Sequence, residues 1–241
     1  MRMRKKRRCH ERMTALSALF AEPDGFSADL YAESLPLRLE IGCGKGDFIS
    51  ALSEKEPGFN YIALEKIEDV AMVAAEKYAS RRGLGHLDPH GAWETPSGEK
   101  YDGEKWDIPV EMRGNVRFMR CDAADITDIF PPESFDTIYA NFSDPWPKKG
   151  YSERRLTHPA FLKKYIKLLR PCGKFIFKTE NVGLFDFSLE SLSGEKDFEV
   201  TFITRDLHRS ERAADNVMTE YERNFSEKGV SINCVEAVKR G

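Results

Sequence analysis

An α/β fold with a doubly wound, mostly parallel sheet is predicted by three features of the sequence. Short apolar runs alternate with amphipathic helical stretches along most of the chain. The first run ends in a glycine-rich turn, Gly42-Cys43-Gly44-Lys45-Gly46. Acids stand at the ends of four successive strand candidates: Glu40, Glu65, Asp122 and Asp144. At 241 residues the chain is long enough for one large α/β domain. A hydrophobic share of 41% and a charged share of 32% exclude a disordered chain, a fibrous repeat and a disulfide-stapled miniprotein. No apolar run approaches the ~20 residues of a membrane span.

Leu37 to Ile41 reads as the first strand, and Asp47 to Lys55 as the helix after the glycine turn, closed by Pro57-Gly58. Phe59 to Leu64 predicts a second buried strand ending in Glu65. Ile67 to Arg81 carries strong helix formers, with Val70, Val73, Ala74 and Tyr78 at apolar spacing. From Gly83 to Gly114 glycines, prolines and charges break the period. The expectation there is an irregular insertion, which Trp93 and Trp106 pin to the surface. Alternation resumes with strands Val116 to Arg120 and Phe135 to Ala140, a helix from Pro159 to Leu169, a strand from Lys174 to Lys178 and a helix from Gly183 to Leu192. Phe198 to Thr204 and Ser231 to Val238 have no comparably apolar helix between them, which predicts an antiparallel hairpin at the sheet edge. Ahead of the first strand, residues 1–12 read as a basic arm, disordered without its partner. Met13 to Ala21 follows as an amphipathic helix rather than a leader peptide, and residues 13–241 read as a single domain.

Net charge is −3, from 37 basic and 40 acidic residues, a total that argues against a nucleic-acid partner. Its distribution argues the opposite. Residues 1–12 carry a net +6 and residues 141–178 a net +8, leaving −17 on the remainder. Such asymmetry suggests an anionic partner meeting one face. Cys9, Cys43, Cys121, Cys172 and Cys234 are far apart with no C-x-x-C pair, and His10, His86, His90, His158 and His208 form no ligand pattern. Neither a disulfide framework nor a metal site is expected, and the cysteine usage fits a cytoplasmic protein.

Ligands of a doubly wound sheet bind beyond the carboxyl ends of the strands, where strand order reverses. Gly42, Gly44 and Gly46 let the first turn lie close to a ligand, but their G-x-G-x-G spacing departs from the dinucleotide fingerprint. A pyrophosphate sits poorly among four carboxylates. S-adenosylmethionine has no phosphate, and offers ribose hydroxyls, an adenine amino group, an amine and a sulfonium, all of which acids can hold. Glu65, about twenty residues past the glycines, suits the ribose hydroxyls. Asp122 suits the adenine amino group, helped by the backbone of Ala123, and Glu40 faces the amino-acid portion. A non-catalytic α/β domain can also contain a glycine turn; the four successive acids point beyond that.

The densest segment is Asn141-Phe142-Ser143-Asp144-Pro145-Trp146-Pro147-Lys148-Lys149. Two prolines stiffen the loop, Asp144 supplies a carboxylate, Trp146 a flat surface, and Lys148, Lys149, Arg154 and Arg155 a cationic strip. A basic strip beside an aromatic suits a structured nucleic acid. These nine residues resemble the signature of the bacterial tRNA (guanine-N7)-methyltransferase family, which modifies guanine 46 of the variable loop. Leu39-Glu40-Ile41-Gly42 with Gly44-Lys45-Gly46, Arg154-Arg155-Leu156-Thr157 with Pro159, Phe177-Lys178-Thr179 with Asn181, and Thr219-Glu220-Tyr221-Glu222 with Phe225 and Gly229 extend the resemblance over most of the chain.

The resemblance implies a class I methyltransferase fold, S-adenosylmethionine as cofactor and tRNA as partner. By motif position it makes Glu40, Glu65, Asp122 and Asp144 cofactor contacts. Lys148, Glu180 and Thr219, Glu220, Tyr221 and Glu222 become substrate contacts. Asp144 is the expected catalytic group, Glu180 and Glu222 further candidates for reading the guanine edge, and Lys149, Arg154 and Arg155 contacts to the tRNA backbone. Monomer and homodimer are both open. The chain departs from the family in carrying Glu180 where Asp is usual, Gly150 and Tyr151 where basic residues or histidine commonly follow, and a longer insertion. A methyltransferase for small molecules or proteins would leave both basic clusters unexplained. An RNA-binding protein with an inactive pocket would not need four intact acids, and a nicotinamide dehydrogenase is disfavoured by the glycine spacing.

Overall fold

A computed structural model describes residue 6 and residues 8–27 and 30–241; Arg2, Arg4, Lys5 and Arg7 of the basic arm lie outside the described residues. In chain order the elements begin with α1 (Cys9–Ala15), β1 (Leu37–Ile41), α2 (Asp47–Lys55), β2 (Asn60–Glu65) and α3 (Glu68–Arg81). Three two-residue strands follow, β3 (His86–Leu87), β4 (Trp93–Glu94) and β5 (Lys100–Tyr101), then β6 (Val116–Arg120), α4 (Ile126–Ile129) and β7 (Phe135–Asn141). The last part holds α5 (Pro159–Leu168), β8 (Leu169–Thr179), α6 (Val182–Ser193), β9 (Phe198–Thr204), α7 (Glu220–Ser226) and β10 (Asn233–Lys239). Seven strands are hydrogen-bonded in the order β6-β2-β1-β7-β8-β10-β9. By contact the chain forms two compact units, residues 1–36 with 43–122, and residues 37–42 with 123–241.

In the first unit, β2 and β6 pair in parallel, Ala63 opposite Phe118, and both strands are almost wholly buried. That burial explains why they read as unbroken apolar runs rather than alternating ones. The helix expected over Met13 to Ala21 starts earlier, at Cys9, and gives way to a 3₁₀ turn at Ser17–Leu19. Arg12, expected in a disordered arm, is therefore helical. Its guanidinium makes two 2.7 Å hydrogen bonds to the Glu76 carboxylate of α3. A paired, mostly buried arginine sets the helix one turn ahead of its apolar face, which hydrophobic periodicity does not register.

The insertion is not irregular. Its three short strands form an antiparallel sheet in which Leu87 pairs with Trp93 and Trp93 with Tyr101. Two-residue strands are too short to show a period, so the sequence reads as loop. Trp93 is buried, with its indole N–H donating to the Leu84 carbonyl at 3.2 Å. The Asp88 carboxyl accepts from Lys100 at 3.0 Å and from the His90 and Ala92 amides at 2.9 Å, which holds its pKa far below the usual range. Both ends of the insertion are fastened to the last turns of α3. The Leu84 amide donates to the Ala79 carbonyl at 2.9 Å, and the Tyr78 hydroxyl bridges the Arg113 carbonyl and the Val116 amide at 3.3 Å each.

In the second unit, β1 pairs with β7 and β7 with β8 in parallel. β9 and β10 do pair antiparallel, but β10 also pairs antiparallel with β8, so the antiparallel strand lies inside the sheet and β9 forms the edge. Burial explains the order: Cys234, Val235 and Ala237 of β10 are buried, whereas β9 alternates between covered and exposed residues. Instead of a tight hairpin turn, residues 205–232 connect the two strands and contain α7, a helix too short for periodicity to reveal.

Gly46 shows what fixes the first turn against this framework. Its φ is +77°, and a Cβ there would stand 2.9 Å from the Ala74 Cβ of α3 and 3.4 Å from the Phe118 ring of β6. Gly46→Ala is expected to destabilise the protein by about 1–3 kcal/mol, through overpacking and a disfavoured backbone angle. Urea unfolding checks it: the midpoint should fall with little change in slope, while Gly58→Ala, where a Cβ meets nothing within 4 Å, should move it far less.

Candidate active site

The glycine turn is held by backbone bonds and by one carboxylate. The Cys43 amide donates to the Leu64 carbonyl at 3.0 Å, and the Gly46 amide to the Cys43 carbonyl at 3.0 Å. Glu65, the last residue of β2, accepts from the Gly44 amide at 3.1 Å through one oxygen and from the Ile67 amide at 2.9 Å through the other. These two bonds fix the turn and the start of α3 to one side chain. Gly42 and Gly44 differ from Gly46. Their φ values are +72° and +56°, but a Cβ on either would meet nothing within 4 Å. The turn therefore presents side-chain-free backbone to open space, which fits a bound small molecule.

Asp122 follows β6 and is ion-paired with Lys66, the residue after Glu65. With side chains 67% and 38% exposed, that pair contributes little stability. Ala123 is buried at the start of a 3₁₀ turn over Ala123–Asp125.

In the second unit, strand order turns back between β1 and β7, which makes their carboxyl ends the switch point of the sheet. Ile41 lies opposite Ala140, and the buried Glu40 carboxylate accepts from the Asn141 side-chain amide at 3.1 Å. Asn141 entered the sequence reading only as the first letter of a motif; its role is to hold Glu40. Among the described residues, its Oδ1 and the Ser143 Oγ are buried without a hydrogen-bond partner.

The loop beyond β7 is strained and clamped. Phe142 and Trp146 adopt left-handed φ values of 52° and 42°, uncommon for bulky side chains and a mark of functional loops. The Phe142 amide donates to the Lys178 carbonyl at 2.8 Å. Arg155 closes the loop with its fork, donating to the Pro145 and Trp146 carbonyls at 3.0 Å each, and its guanidinium lies 4.4 Å from the centre of the Phe187 ring. Arg155 is thus placed as a brace rather than as a free cation. Arg154 is exposed, stacked 5.0 Å from the Trp146 ring and 4.7 Å from Tyr151. Asp144, Lys148 and Lys149 are exposed, so the loop presents one carboxylate and a cationic strip together.

The remaining motif residues divide by burial. Glu180, just past β8, is partly exposed, and Tyr221 on the first turn of α7 is 58% exposed. Thr219 and Glu222 form a capping box: the Thr219 Oγ1 accepts from the Glu222 amide at 2.9 Å, and the Glu222 carboxylate reaches back to the Thr219 amide at 3.4 Å. Expected to read the guanine edge, Glu222 is instead fully buried, with its carboxylate on Lys178 Nζ and His208 Nε2 at 2.8 Å each and on the Asn216 side-chain amide. Burial raises its pKa, but the Lys178 charge and these hydrogen bonds outweigh it and leave the pKa lowered. Sequence reasoning missed Lys178 and His208 as the partners that hold Glu222; a lysine among apolar positions of a central strand is the signal that could have found the first.

Among the described residues, no group of three or more His, Cys, Asp or Glu is arranged to hold a metal ion, and no helix is long and apolar enough to cross a membrane. A family model described as "Putative methyltransferase" matches residues 34–235. A tRNA (guanine-N(7)-)-methyltransferase of Lachnoclostridium phytofermentans is 41% identical over 213 residues, 88% of this chain and 84% of that protein. One from Bacillus licheniformis is 36% identical, covering 98% of each chain. Among solved structures, the 16S rRNA methyltransferase KamB aligns with a TM-score of 0.54 at 13% identity, over 86% of this chain and 88% of that one, a likeness of fold. On this evidence the chain belongs to the tRNA (guanine-N(7)-)-methyltransferase family and has its class I, S-adenosylmethionine-dependent fold.

Proposed function

We propose that the chain methylates N7 of a guanine in tRNA, at position 46 of the variable loop, in the cytoplasm, as a monomer or a homodimer. The observation that carries this reading is the loop after β7, where exposed Asp144 stands on a backbone braced by Arg155 and bordered by Lys148, Lys149 and the stacked Arg154. Such a surface can hold a phosphate backbone by charge and a base by contact.

For the cofactor, Gly42 and Gly44 leave open backbone and Gly46 packs the turn. The Glu65 carboxylate accepts from the Gly44 and Ile67 amides at the foot of the glycine turn, where a carboxylate suits ribose hydroxyls. Asp122 and the backbone of Ala123 suit the adenine, and Glu40 shapes the end that takes the amino-acid portion. When bound, S-adenosylmethionine supplies an activated methyl group. Guanine N7 carries an in-plane lone pair and no proton at neutral pH, so no residue has to act as a strong base. The chain contributes placement and charge. Asp144 stabilises the positive charge that develops on the base. Glu180 and the segment Thr219, Glu220 and Tyr221 position the guanine, and Lys148, Lys149 and Arg154 hold the backbone, with Arg155 acting through the loop it braces.

Incubating the protein with unmodified tRNA and labelled cofactor, then mapping the methylated nucleotide, tests the reading; label on protein or on a base other than guanine would overturn it. Asp144→Ala is expected to lower kcat by roughly 10²–10³ with an unchanged circular dichroism spectrum, and near-normal turnover would remove Asp144 from the chemistry. Replacing Lys148 and Lys149 by alanine should weaken tRNA binding and lower the slope of log Kd against log salt by about one per lost phosphate contact. Cofactor affinity, measured by titration calorimetry, should stay unchanged in that variant.

A further inference from the structure

Lys178 joins three segments that the chain keeps far apart. Its ammonium donates to the Glu222 carboxylate at 2.8 Å, the Val217 carbonyl at 2.8 Å and the Asn216 side-chain oxygen at 3.0 Å, while its own carbonyl accepts from the Phe142 amide of the loop after β7. The Phe142 ring in turn stacks on Phe225 of α7, centroids 6.4 Å apart and planes at 7°. On the other side of Glu222, His208 Nε2 lies 2.8 Å from the carboxylate and Nδ1 lies 3.2 Å from the Ser226 hydroxyl.

The Glu222 carboxylate therefore accepts from four donors: Lys178, His208, Asn216 and the Thr219 amide. An ionised carboxylate offers about four lone-pair directions, so little capacity is left for a guanine N1 or N2 donor. The group is also fully buried. We propose that Lys178, Glu222 and His208 are positioning residues for guanine recognition, which lock α7 and the loop before it to the end of β8 and reach the base only through Glu180, Thr219, Glu220 and Tyr221. Glu180 follows Lys178 by two residues, and Glu220 and Tyr221 immediately precede Glu222, so the reading residues flank both ends of the buried ion pair. A seven-residue helix does not hold together alone in water, so its position depends on such contacts. Buried ion pairs add little net stability and are best attested as devices that fix one arrangement.

This inference rests on the proposed tRNA reaction, and the test separates the two. His208→Ala removes one donor from the network and touches no proposed substrate contact; His208→Gln keeps a donor at a similar reach. With His208→Ala, the KM for tRNA should rise roughly 2- to 30-fold at nearly constant kcat and cofactor affinity, and His208→Gln should recover most of the loss. Hydrogen exchange read without substrate should show faster exchange of the 220–226 amides in His208→Ala, and recovery in His208→Gln. Glu222→Gln should behave like His208→Ala and more severely. If His208→Ala leaves both KM and exchange unchanged while Glu222→Gln alone abolishes tRNA methylation, Glu222 is a direct ligand and the inference fails. Equal losses in kcat, KM and cofactor affinity would make the network merely structural, which also overturns it. Should the wild-type protein methylate no tRNA, the functional reading fails, and the exchange measurement still decides whether the network holds α7.

Discussion

A carboxylate buried in the central strand of a parallel sheet is costly unless its oxygens find donors. Glu40 is such a group, and its bond from Asn141 joins the ends of the two parallel strands between which the strand order turns back. To make that bond, β1 and β7 must end in register, Ile41 opposite Ala140. The register in turn sets where the glycine turn leaves one strand and the aspartate-tryptophan loop leaves the other. One hydrogen bond between buried polar side chains thus holds the end of β1 against the end of β7.

Charge is sorted by location rather than by amount. Carboxylates gather at strand ends, where each is tied into backbone or a neighbour: Glu65 to two amides, Asp122 to Lys66, Glu40 to Asn141. Exposed cationic charge, on Lys148, Lys149 and Arg154, gathers on the loop after β7 and the 3₁₀ stretch Lys149–Arg154 that continues it. Not every cation there is available to a polyanion. Arg155 is consumed by two carbonyls, and Lys178 is buried on Glu222, so the +8 of residues 141–178 overstates the charge shown to solvent. The net charge of −3 describes neither surface.

The main sheet was legible because its strands are buried and apolar and its turns carry glycine. β1, β6 and β9 and helix α2 lie at the predicted residues. What stayed hidden depends on contacts between distant residues. The early start of α1 needs Glu76, the place of β10 needs two partners, and the strands of the insertion pair over only two residues each. In the candidate site, residue types pointed to segments but not to the state of each side chain. Thr219 and Glu222 match a substrate motif by letter and form a capping box in space; Arg155 looks like a phosphate contact and closes a loop. Exposure and bond saturation decide such cases, and neither is written in spacing.

The fastening of the insertion at both ends to Tyr78 and Ala79 has a consequence for how the fold tolerates change. A segment that leaves and returns at one place adds no strain to the sheet it interrupts, and the entropy of closing it grows only with the logarithm of its length, about 0.6 kcal/mol per doubling. Its own small sheet, with Trp93 and the Asp88 turn, offsets part of even that. Residues 83–114 are therefore tied down at one place, so a change in their length falls on their own small sheet and not on the pairing of β2 with β6.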